Sequence, residues 1–286
     1  MWRARYEQGL ILTIEEGQRA GRPVAVVRNR AGKELFRSQP ARESGVYELR
    51  DLTLCGPRCL AVSAFYAPAP GQGTSAIFFY AIDTPGARSR AVPTGDRVCR
   101  RLAGEPGGGL WCLGPDLRKQ ATGGEYPLVR RFSPEGKIAG EFLSSGPFAE
   151  PLRRAASGEP ALECGRAGEA LVWLPAASLL AVVDAAAGNA PAIDLPVRLR
   201  GRSRPTFAVT ALGTTFALLP HVPPGEEENL GTRYRLFRKE RASNRWAAVA
   251  AVGDRPRGTE LIGWDRGELV LWNRTLREVE WVTTRE

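Results

Sequence analysis

The chain has one histidine (His221), one methionine (Met1) and four lysines (Lys33, Lys119, Lys137, Lys239) among 286 residues. A single histidine excludes metal sites built on a histidine pair and leaves a Ser-His-Asp triad only one candidate base. No Gly-x-Ser-x-Gly elbow, Walker loop or dinucleotide-binding glycine pattern occurs, so these signatures of hydrolases and nucleotide binders are missing. Long apolar runs are also missing. The uncharged stretch 170–183 is short and contains Pro175, and 59–82 is interrupted by Pro68, Pro70, Gly71 and Gly73. A spanning helix needs about 20 apolar residues, so no membrane span is expected. The first seven residues, Met1 to Glu7, lack the apolar core of a secretion signal, and no targeting segment is read there. No stretch keeps a helical period over three turns, which turns the reading toward strands.

What the chain does have is an ordinary globular balance: 43% apolar and 25% charged residues, which excludes a disordered polymer. The 32 glycines and 22 prolines imply many turns. The formal charge is +9 and is carried almost wholly by arginine. GC-rich codon usage produces such an arginine, alanine and glycine excess without selection for an anionic partner. The arginines are scattered, with local groups at Arg153-Arg154 and at Arg198, Arg200, Arg202 and Arg204, so nucleic acid is not expected as a partner.

Two elements repeat. A glycine followed by a short apolar strand occurs at Gly9, Gly56, Gly109, Gly168, Gly213 and Gly267, 45 to 59 residues apart. After it comes an apolar strand that runs into a tight turn closed by Gly32, Gly86, Gly136 or Gly188, 50 to 54 residues apart. An opening Asn, Asp or Ser and a closing Gly at positive φ are the chemistry of short hairpins. Each period of about 50 residues reads as four strands, A to D. In the third unit these are Val98–Leu102, Leu110–Leu113, Tyr126–Phe132 and Ile138–Phe142. The last unit reads as Thr259–Trp264, Leu269–Trp272 and Glu278–Val282, with no fourth strand.

The residues Phe132 to Lys137 and Gly107 to Trp111 resemble blades of six-bladed propellers of the NHL and TolB-like type. That resemblance implies an all-β, six-bladed β-propeller with blades of three to four antiparallel strands, forming one domain over 1–286. A sandwich or two small β domains is the structural alternative. The missing outer strand leaves two ways to close the ring: side-chain packing alone, or an edge strand from the N-terminus. The resemblance implies little about activity, because propellers serve as enzymes, scaffolds and receptors.

The five cysteines bear on the compartment. Cys55 and Cys59 flank a three-residue turn, and Cys99 and Cys112 flank the A–B hairpin of the third unit. Either pair can bridge, leaving Cys164 free, and a bridge implies an exported protein; five free thiols would imply the cytoplasm. No catalytic residue, metal site or cofactor is assigned. Trp111, Trp173 and Trp272 occupy matching places in strand B and are read as core between blades. The run Glu226-Glu227-Glu228 is read as a solvated loop.

In a propeller the B–C and D–A connections share one face. The B–C connections are long at 67–74, 114–125 and 220–232, and the D–A connections at 143–159 and 196–205. The expected function is therefore a non-catalytic, monomeric propeller that binds a protein, peptide or glycan on this face. Arg198, Arg200, Arg202 and Arg204 would supply cationic contacts beside Tyr126 and His221. The alternative is a propeller hydrolase or lyase with its site at the central channel.

Overall fold

The computed structural model describes residues 3–284 except 18–21, 39–45, 68–72, 85–89, 149–158, 198, 200–203, 222–232, 244 and 257. Six antiparallel sheets follow one another along the chain. Five have four strands and the last has three. Their first strands, Arg3–Glu7, Val46–Leu54, Arg101–Gly104, Ala161–Arg166, Thr206–Val209 and Thr259–Asp265, adjoin one another in a closed ring around a central channel. These are the A strands of blades 1 to 6, and in each blade the later strands lie progressively outward.

Burial explains why the sheets stack. Beyond blade 1 the second strands are largely apolar on both faces; Leu110–Leu113 is buried at every position. The third strand of blade 2, Thr74–Ala81, alternates buried and half-buried residues. A two-faced apolar strand needs cover on both sides, and only a neighbouring blade on each side gives it. The apolar core accordingly divides into six clusters, one at each blade interface. Trp111, Trp173 and Trp272 lie in three of them, at the interfaces of blades 3–4, 4–5 and 6–1.

Gly86 lies outside the described residues, and the other turn glycines behave as their spacing predicts except in blade 3. Gly9, Gly56, Gly168, Gly213 and Gly267 have φ between 79° and 109°, a region that disfavours a Cβ. Blade 3 differs by one residue: Gly108 has the positive φ (86°), while Gly109 abuts the Glu105 carboxylate. Strand A of that blade also starts three residues later than the sequence implies, at Arg101. The preceding Val98 and Arg100 still donate backbone hydrogen bonds to Pro115 O and Leu113 O, so the pairing continues irregularly.

Ring closure uses side chains. Every sheet consists of consecutive strands, and no terminal strand completes the opposite blade among the described residues. Tyr6 meets Trp281 edge to face at 4.8 Å, Arg30 stacks over Trp281 at 4.1 Å and pairs with Glu268 at 2.6 Å, and Tyr6 Oη donates to Asp265 at 2.8 Å.

Both candidate cysteine pairs are bridged, with Cα separations of 5.1 Å for Cys55–Cys59 and 5.3 Å for Cys99–Cys112, and Cys164 is free. Both bridges contribute to the core between blades 2 and 3. Thiol titration of denatured, unreduced protein should find one reactive thiol; five would overturn both bridges. Replacing Cys99 and Cys112 together by serine should cost about 3 kcal/mol, read by urea unfolding, because the cross-link restricts the unfolded chain.

Candidate functional site

The first strands carry charge into the channel. Strand A alternates, so one set of its side chains faces the axis. At the end where the D–A and B–C connections emerge, these side chains line a cavity of about 260 Å³ to which all six A strands contribute. Its rim carries Arg50, Arg100, Arg204 and Arg274 with Glu48 and Glu260. At the other end a cavity of about 210 Å³ lies among Glu7, Leu54, Gly104, Cys164, Gly165 and Gly263. Glu163 and Ile262 border both cavities.

Between the two lies Arg5. It starts on blade 1 and crosses the ring: its guanidinium donates to the backbone carbonyls of Leu102 on blade 3 and Leu162 on blade 4, the latter at 2.7 Å. It also donates to Glu163 Oε1 at 2.6 Å and lies 3.5 Å from Glu7. Arg5 is almost fully buried. Asp51, buried completely, pairs with Arg3 at 2.5 Å and accepts from Leu102 N at 2.8 Å. Glu7 accepts from Thr53 Oγ1 and from Leu54 N, and Thr53 Oγ1 in turn accepts from Gly104 N at 2.9 Å. Charged hydrogen bonds thus link blades 1 to 4 around the axis, which offsets the cost of burying them.

The electrostatics follow from desolvation. Burial pushes Glu163 up to about 7, against the attraction of Arg5. Burial also raises Glu7, opposed by Arg5 and by the Leu54 amide. Arg101 is pushed down to about 10 by burial and by the nearby Arg3, and burial raises the Cys164 thiol above its ordinary range. A raised carboxyl is favoured in the folded state while protonated. Glu163 therefore contributes stability that is fully present below its ordinary 4.5 and is lost as the pH rises through about 7. Thermal and urea unfolding between pH 5 and 8 should show this fall, up to roughly 3 kcal/mol. Glu163→Gln should remove it; an unchanged slope would refute the assignment.

The residues singled out in the sequence distribute unevenly. Arg204 lies exposed at the channel mouth. Tyr126 is buried in the core between blades 3 and 4, and its backbone amide donates to Ser145 Oγ. The His221 backbone ends the second strand of blade 5, opposite Arg233, and its side chain lies outside the described residues, as do Arg198, Arg200 and Arg202. Sequence reasoning missed Arg3, Arg5, Asp51, Arg101 and Glu163. Their signal is charge within otherwise apolar first strands, readable only once that strand is known to be innermost. Of the long connections, 114–125 forms a short helix, Leu117–Thr122, capped by Asp116 and Gly123.

This architecture defines the chain as an all-β six-bladed propeller with an arginine-crossed channel. No family model matches it, and no curated protein does. Solved structures do. The β-propeller domain of the trilobed protease from Pyrococcus furiosus, described as having an open velcro topology, superposes with a TM-score of 0.55 at 9% identity, covering 84% of this chain and 70% of that one. A chain of the nidogen/laminin complex gives 0.54 at 8% identity, covering 98% and 88%. TolB from Acinetobacter baumannii gives 0.51 at 10% identity, covering 97% of this chain and 65% of TolB. At such identities the likeness is one of fold.

Proposed function

We propose that the protein is a non-catalytic binding propeller whose protein, peptide or glycan partner meets the face carrying the B–C and D–A connections. The observation that carries this reading is the channel mouth. It opens on that face, all six A strands build it, and buried Arg5, paired with half-buried Glu163, forms its floor. A cavity built by six strands of a rigid scaffold is suited to holding a projecting group. The 114–125 connection opens on the same face, its helix tied to the end of blade 2 by the Leu117 amide, which donates to Asp96 O.

A second reading, a hydrolase or lyase working in the channel, is favoured by Glu163 alone, a carboxyl poised near neutrality. Its weakness is that Glu163, Glu7 and Asp51 are each held by the chain's own donors. Capture from a lysate with tagged protein separates the faces. Replacing 117–123 by a short glycine turn should abolish capture of the partner, while changes at 106–109, on the opposite face, should not. The reverse pattern would overturn the binding face.

A further inference from the structure

The mouth of the channel has more cations than it has acids to pair them. Arg3 pairs with Asp51, Arg5 with Glu163, and Arg101 with Glu159 at 2.9 Å. Arg50 pairs with Glu48 at 3.1 Å, and Arg274 with Glu260 at 3.1 Å. Every acid lining the cavity is used in these pairs. Arg100 and Arg204 remain. Both line the cavity, both are exposed, and neither has a carboxylate within ion-pair distance among the described residues. By formal charge the lining sets seven arginines against four glutamates.

The walls between these charges are apolar. Leu49, Pro160, Ala161, Pro205, Phe207 and Leu261 contribute to the lining. The cavity, about 260 Å³, is slightly smaller than pockets that enclose a drug-sized molecule, roughly 300 Å³ and above. It suits one or two residues of an extended chain. Guanidinium groups prefer carboxylates, which they grip through paired N–H donors, and apolar walls favour an acid attached to hydrocarbon over a bare hydrated ion.

We infer that the channel mouth binds a carboxylate-bearing peptide segment, its acid held between Arg100 and Arg204 and its neighbouring apolar side chain against Pro160 and Ala161. This rests on the binding-face reading above and names the chemistry of what that face takes. Because Arg5 and Glu163 occupy the floor, the segment enters the mouth and does not thread the channel.

The test uses an acetylated pentapeptide of leucine and alanine that ends in a free glutamate and carries a photo-crosslinking benzophenone. Its counterpart has glutamine and a terminal amide in place of the carboxylates. Affinity is read by calorimetry and position by mapping the cross-links. The acidic peptide should bind at least about tenfold more tightly than its neutral counterpart, the worth of one charge-assisted hydrogen bond. Arg100→Gln and Arg204→Gln should each remove most of that difference, and these exposed positions are not needed for folding. Free succinate should compete only weakly. Equal binding of both peptides, unchanged binding by the two variants, succinate as strong as the peptide, or no binding at all would each overturn the inference. Cross-links decide what else falls. Charge-independent binding mapped to the mouth would leave the binding face standing without its acid preference. Cross-links confined to the face of the A–B turns would remove both.

Discussion

Arg5→Ala is expected to destabilise the propeller by about 3–5 kcal/mol, the usual cost of removing one partner from a buried ion pair. The loss has several parts. Two backbone carbonyls, Leu102 O and Leu162 O, lose their donor, and Glu163 and Glu7 lose the cation that lets them ionise away from bulk water. Because the two carboxylates are then uncompensated, the loss should be larger at pH 8 than at pH 5, where protonation spares much of the cost. Urea unfolding at both pH values measures it. Arg5→Met, which keeps the volume but not the charge, should also fail to restore stability at pH 8 while the carbonyls stay unsatisfied. A loss below about 1 kcal/mol would mean that the guanidinium is dispensable.

The second large effect is expected at the seam of the ring. Gly263 lies on the first strand of blade 6 with ordinary φ, and a Cβ there would sit 2.2 Å from Tyr6 O on blade 1. That contact is with backbone, so the two strands must separate to relieve it. Among the described residues the seam has the smallest apolar cluster of the six interfaces, and little reserve for such a shift. Gly263→Val should cost about 3 kcal/mol and lower the melting temperature by roughly 6–12 °C. Gly107→Ala is the control, since nothing lies within 4 Å of its added methyl and its φ is ordinary. Equal melting temperatures for the two variants would show that the seam is loosely packed.

Much of the fold was legible because turns leave strong local marks. Gly32, Gly136 and Gly188 have the positive φ that their hairpins require, and the last blade has the three strands that its sequence shows. The bridged pairs were legible as pairs, although Cys99 lies before its strand and is not opposite Cys112 in the ladder, where Leu102 stands. The channel was much harder to read. Arg3, Asp51, Arg101 and Glu163 come from four blades, and nothing local says that their side chains converge. The same holds for Gly104, Gly165 and Gly263. Each lies in a first strand where a Cβ would strike a neighbouring blade's backbone, at Leu54, Thr210 and Tyr6 respectively. These pinches fall between blades 3 and 2, 4 and 5, and 6 and 1, a pattern that exists only in the closed ring. A strand glycine with no turn around it is the one sign the sequence offers.

Building each blade from consecutive strands makes the ring resemble a split washer. Five interfaces are tethered by the chain that crosses them, and the sixth is held by contact alone. Heat or pulling force should therefore part the molecule first at Tyr6 and Trp281, leaving an open arc of intact blades. The same economy makes the protein divisible. A cut between blades 3 and 4 would sever no sheet hydrogen bonds, so two three-blade halves made separately would each keep complete sheets. They would reassemble through their two facing apolar edges and through polar contacts such as those of Arg5 with Leu162 and Glu163 and of Arg30 with Glu268.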